Sequence, residues 1–121
     1  MKSFSYHAPK DVKDASKLAS SGSAFLAGGM TTIPSMKLGL ASYKDVIDIK
    51  NIKKLSGIKV SGKSVTIGAT TKHVEVATSK DVKKAIPALA KLAGNIGDAQ
   101  VRNRGTIGGS ISNLSVANIA S

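Results

Sequence analysis

Two glycine-dense segments restrict this chain more than any other feature: Ala27-Gly28-Gly29-Met30-Thr31-Thr32 and Gly105-Thr106-Ile107-Gly108-Gly109-Ser110. Paired glycines let a backbone come close to another group and take up positive φ. The first segment follows Ala24-Phe25-Leu26-Ala27, a short apolar strand. It precedes a helix that begins near Ile33-Pro34, with Thr31 or Thr32 as its cap, since proline suits a first turn. Backbone N–H groups between a strand and a helix can cradle an anion such as a pyrophosphate. The same segment is equally readable as a tight turn. The second segment is also rich in hydroxyls, with Ile107 as a buried anchor, and can be a loop or a bulge. Neither is a G-x-G-x-x-G or a G-x-x-x-x-G-K-[ST] motif. Two loops of like chemistry suit a diphosphate, whose oxygens can be gripped from both sides.

The remaining elements are short and mixed. Phe4 and Tyr6 alternate with Ser3 and Ser5, a strand pattern that Pro9 ends. A helix is expected at about residues 11–21, capped by Asp11, with Val12, Ala15, Leu18 and Ala19 on one face and Gly22 at its stop. Val46-Ile47-Asp48-Ile49 reads as a buried strand. Ile58–Val60 and Val65–Ile67 flank Ser61-Gly62-Lys63-Ser64, a hairpin signal. Thr70 or Thr71 is expected to cap a helix through Val74 and Ala77. Pro87 opens another, with Leu89, Leu92 and Ala93 on its buried side and Gly94 at its end. Residues 95–113 show no helical periodicity and read as glycine-rich loop. The order of elements predicts an α+β or α/β fold of short pieces.

Composition excludes several kinds of chemistry. The 121 residues include no Cys, so there is no disulfide, thiolate metal site, iron–sulfur ligation or cysteine nucleophile. No apolar run reaches the roughly 18–20 residues of a membrane span, and the N-terminus lacks the apolar core of a secretory signal. A soluble, cytoplasmic domain is expected. The net charge of +11 raises a nucleic acid or other polyanion as an alternative partner for a basic, non-redox module. Against it, the lysines are spread over both halves and stacking aromatics are few. Arg102 and Arg104, the only arginines, precede the second loop. They can fork onto a phosphate or hold the loop to its own backbone, and the sequence leaves both open. His7 and His73 have no second metal ligand nearby in sequence. Asp98 and Glu75 have no partner carboxylate, so no general acid–base pair is visible.

Three segments in order carry a family resemblance. AGGMTTIPSMKLGL at 27–40 resembles the first flavin-binding loop and helix of the molybdenum hydroxylase flavoproteins. VTIGATTKHVEVA at 65–77 is similar to the strand and helix that open their second lobe. IPALAKLAGNIGDAQVRNRGTIGGSISN at 86–113 resembles their second flavin loop. The likeness is strongest to the medium, FAD-binding subunits of aerobic carbon monoxide dehydrogenase-type enzymes, then to xanthine dehydrogenase flavin subunits.

The resemblance implies an α+β FAD-binding fold of the vanillyl-alcohol oxidase (PCMH) type. Residues 1–56 would form a complete first lobe, and 57–121 the start of a second that stops early. It implies non-covalent FAD, with Ala27, Gly28, Gly29, Met30 and Thr31 along the diphosphate and Thr106, Gly108 and Gly109 on its other side. It also implies an electron-transfer role, from an iron–sulfur small subunit through FAD to an acceptor, beside a molybdopterin large subunit that oxidises the substrate. Family members continue after the second loop with a stretch containing Pro and Asp. Residues 113–119, Asn-Leu-Ser-Val-Ala-Asn-Ile, lack both.

Overall fold

The computed structural model of the protein describes residues 2–113. The divergent stretch at 114–119 lies outside them. The chain order is β1 (Ser5–His7), α1 (Val12–Leu18), β2 (Ser23–Leu26), α2 (Thr32–Lys37), β3 (Asp45–Asp48), a 3₁₀ turn at Lys53–Leu55, β4 (Ile58–Ser61), β5 (Ser64–Ile67), α3 (His73–Thr78), α4 (Lys80–Ala85), α5 (Pro87–Gly94), α6 (Ala99–Arg104) and α7 (Ile107–Asn113). The fold is mixed α/β.

The first half is a three-stranded sheet in the order β1-β3-β2, parallel throughout. Parallel neighbours need crossovers, and α1 and α2 provide them. The apolar pair Val46-Ile47 of β3 suits the middle of the sheet, where both edges are paired. Val46 and Ile47 are buried, Ile47 completely at 0% exposure. Ile47 packs with Ala15 of α1 and Ile52, and Leu18, Ile49 and Leu55 close around them. Asp11 caps α1 by accepting the Asp14 N–H at 2.8 Å. The helix is shorter than the sequence pattern suggests: it ends at Leu18, and Val12 stays exposed.

The second half begins with the β4–β5 hairpin, antiparallel with Val60 opposite Val65. Gly62, at φ 57°, makes its turn. One face of the hairpin covers a core of Val76, Val82, Ala90 and Ala93 from α3, α4 and α5. Its root is tied down by threonines rather than by a helix cap. Thr71, fully buried, accepts the Gly57 N–H at 3.0 Å and donates to the Gly57 carbonyl at 3.2 Å. Thr70 donates to the Leu55 carbonyl at 2.8 Å. The residue preceding α3 is Lys72, whose N–H is accepted by the Glu75 carboxylate at 3.3 Å. Pro87 opens α5 as expected, but Leu92 is 42% exposed and the buried face is Ala90 and Ala93.

The stretch at 95–113, expected as loop, contains α6 and α7. Asp98 starts α6 by accepting the Val101 N–H at 2.9 Å. Helices of six and seven residues are too short for a 3.6-residue periodicity to show.

Candidate functional site

The first glycine segment leaves β2 at Leu26, and the second enters α7 at Ile107. The structure brings them to the lining of one cavity of about 310 Å³. The first loop contributes Ala27, Gly28, Gly29, Met30 and Thr31. The second contributes Thr106, Gly108 and Gly109. All eight sequence-derived residues thus share a single recess.

The two walls are built differently. In the first loop Gly29 sits at φ 76°, a region that favours glycine. Its carbonyl accepts the Ile33 N–H at 3.1 Å, which turns the chain into α2. Among the described residues, no acceptor takes the backbone N–H of Gly28, Gly29 or Met30. Gly28 and Gly29 are half-buried and Met30 is exposed, so these donors are open to a ligand. Backbone donors in succession suit an anionic one.

The second loop has committed the amides of Ile107, Gly108 and Gly109. The Ile107 N–H donates to the Thr71 carbonyl at 3.0 Å and Gly108 N–H to the Ala69 carbonyl at 2.9 Å. Gly109 N–H donates to Thr106 Oγ1 at 3.1 Å. A bridge between Lys72 and Thr106 continues this seam along the root of the hairpin. What the second wall still offers is hydroxyls: Thr106, Ser110 and Ser112.

The arginine alternatives are now separated. Arg102 donates from Nη1 to the Ile96 and Gly97 carbonyls, both at 3.2 Å, and so braces its own backbone. Arg104 carries an exposed side chain, and neither arginine lines the cavity. Among the described residues that line the cavity there is no Lys, Arg, Asp or Glu, despite the net charge of +11.

His73 is a site residue that its sequence neighbours do not reveal. It is 3% exposed, lines the cavity, and places Nε2 3.0 Å from Ser110 Oγ. Its N–H donates to the Gly105 carbonyl at 3.0 Å. Burial pushes the imidazole pKa below its ordinary value. Among the described residues, no group of three His, Cys, Asp or Glu could hold a metal ion. The apolar part of the lining comes from Phe25, Ile49, Ile96 and Val101, drawn from both halves of the chain.

Residues 2–120 match the sequence pattern of the family described as the FAD binding domain in molybdopterin dehydrogenase. The chain belongs to that family. FAD is the cofactor that defines it, and the free amides and hydroxyls of the cavity fit the diphosphate of such a group. This FAD-binding domain is 46% identical over 111 residues to the carbon monoxide dehydrogenase medium chain of Hydrogenophaga pseudoflava, covering 89% of this chain and 39% of that one. It is 37% identical to the glyceraldehyde dehydrogenase medium chain of Sulfolobus acidocaldarius, over 94% of this chain and 41% of the relative. Among solved structures, reconstituted CO dehydrogenase from Oligotropha carboxidovorans superposes with a TM-score of 0.92 at 36% identity, covering 97% of this chain and 42% of that one. The chain therefore spans about two fifths of the length of the relatives it matches. No helix among the described residues is long and apolar enough to cross a membrane.

Proposed function

We propose that this domain holds the diphosphate of FAD between its two glycine loops, within the flavin subunit of a molybdenum hydroxylase. The supporting observation is the row of N–H groups at Gly28, Gly29 and Met30 with no acceptor among the described residues, in one cavity with the hydroxyls of the second loop. On this reading Ala27, Gly28, Gly29, Met30 and Thr31 lie along one side of the diphosphate, and Gly28, Gly29 and Met30 contribute backbone donors. Thr106 contributes a hydroxyl from the other side. Gly108 and Gly109, whose amides are engaged, contribute shape.

Residues 1–56 act as one lobe of a PCMH-type fold and 57–121 open the other. The two separate apolar clusters, one around Ile47 and one around Val76, fit that division. When bound, FAD supplies the redox chemistry, taking electrons from iron–sulfur clusters and passing them to an acceptor. This chain's own residues bind and orient it. The partners on this reading are an iron–sulfur small subunit and a molybdopterin large subunit, and the complex works in the cytoplasm.

Competition between ligands tests the diphosphate assignment. ADP should displace FAD from the protein, whereas FMN, which has one phosphate, should compete at least about tenfold less well, a difference of roughly 1.4 kcal/mol. Equal competition by FMN and ADP would reject a site centred on the diphosphate.

A further inference from the structure

Among the described residues, a dianionic ligand in this cavity would meet no Lys, Arg, Asp or Glu side chain. Among the described residues lining it, His73 is the only titratable group. The charged groups on the elements packed around it all lie outside the lining. These are Lys72 just before α3 and Glu75 on it, Lys80, Asp81, Lys83 and Lys84 on α4, Lys91 on α5, Asp98 just before α6, and Arg102 and Arg104 on α6. Glu75 is turned to the Lys72 N–H, and Arg102 to the Ile96 and Gly97 carbonyls.

The imidazole is held firmly. A Cβ built on Gly105 would stand 2.9 Å from its Cδ2, so the ring fills the space that the glycine leaves. The ring also walls a second recess of about 160 Å³ lined by Val76, Leu89, Ile96 and Ile107. One edge is thus apolar, while Nε2 contacts Ser110 Oγ, which lines the cofactor cavity. No hydrogen bond among the described residues engages Nδ1.

We propose that His73 is the charge-bearing residue of the anion site: it takes up a proton from solvent when a diphosphate occupies the cavity and passes a hydrogen bond to the ligand through Ser110. This rests on the reading of the cavity as the FAD diphosphate site. A neutral imidazole has one N–H and one acceptor nitrogen. In the tautomer protonated on Nδ1, the Ser110 O–H is consumed by Nε2. Protonation makes Nε2 a donor to Ser110 Oγ and frees the Ser110 O–H to point at a phosphate oxygen. Charge-assisted hydrogen bonds of this kind are the stronger ones.

Burial opposes the charge, and this is why the pKa lies below its ordinary value. An anion nearby favours the charged form and moves the pKa upward. The bound state then carries more protons than the free state, so affinity rises as pH falls through the bound-state value.

The test is FAD binding by titration calorimetry between about pH 6 and pH 8, the range in which histidines change charge, in buffers of different ionisation enthalpy. The wild-type protein should take up a fraction of a proton on binding, and affinity should improve by up to about tenfold per pH unit on acidification, the limit for one linked proton. His73→Gln keeps a polar partner for Ser110 but cannot titrate, so proton uptake should vanish. A parallel NMR titration of the wild-type histidine rings needs no variant: His73 should shift towards its protonated position on adding FAD, with His7 as an internal comparison. FAD binding with pH-independent affinity, or with uptake unchanged in His73→Gln, overturns the His73 assignment and leaves the FAD site standing. Failure of FAD to bind at any pH overturns both.

Discussion

Gly28 and Arg104 meet backbone to backbone: a Cβ added to Gly28 would fall on the Arg104 carbonyl, with the Gly105 Cα 3.1 Å away. The first loop is therefore docked directly on the chain that enters the second. A glycine is needed there so that the two walls can approach each other, and the cavity between them depends on that contact.

Gly28→Val should open this seam. Overpacking of about 1–3 kcal/mol is the usual cost where backbone must move. FAD affinity should fall by at least about tenfold, which corresponds to roughly 1.4 kcal/mol. Denaturant melts combined with an FAD titration measure both effects. Native stability with unchanged affinity would show that the loops do not need this approach.

Gly108 and Gly109 should differ despite being neighbours. A Cβ on Gly108 would come within 2.6 Å of the Ala69 carbonyl oxygen and 2.8 Å of the Ala69 Cβ. On Gly109 it meets only Thr106 Oγ1, at 3.0 Å. Gly108→Ala should lower Tm and weaken FAD binding substantially, and Gly109→Ala much less. Thermal melts and equilibrium dialysis of the two variants side by side decide it. Equal effects would contradict the geometry.

Thr71→Val should destabilise the root of the hairpin. The hydroxyl is fully buried and is bonded to both polar groups of Gly57. Leaving such groups unpaired costs about 1–3 kcal/mol. Thr71→Ser keeps the hydroxyl and should recover most of the loss in urea denaturation.

The strands were legible in the sequence because their signals are local. Val46, Ile47 and Ile49 name the central strand, and Gly62 between alternating residues names the hairpin. The two loops could be recognised from glycine pairs beside hydroxyls. Burial of His73 was not legible, because Gly105 and Ser110, which enclose it, lie far along the chain. The helices α6 and α7 were hidden by glycines and short length, although Asp98, three residues before Val101, is a cap signal that could have pointed to the first of them. Leu92 shows the opposite error: its helical position is apolar, but small alanines form the contact that α5 makes with α3.

An alkaline transition should be traceable to Tyr6. Its hydroxyl donates to Asp48 at 2.5 Å, and that hydrogen bond, followed by burial and the carboxylate charge, raises the phenol pKa above its ordinary 10.0. Asp48 is buried and also accepts the Lys50 N–H at 3.0 Å. Because the folded value is raised, the stabilisation is fully present below the unfolded pKa and is lost as pH rises through the folded one. Tyr6→Phe should therefore remove the alkaline dependence, which phenolate absorbance and melts at increasing pH will show.

If the free amides of the first loop and the hydroxyls of the second hold FAD in one cavity, equilibrium dialysis of the purified 121-residue chain against FAD, alongside Gly28→Val, will show it. Saturable binding of one FAD per chain is expected, and the substitution should severely weaken it. Absence of retained FAD in the wild-type protein, or retention unaffected by Gly28→Val, would contradict it.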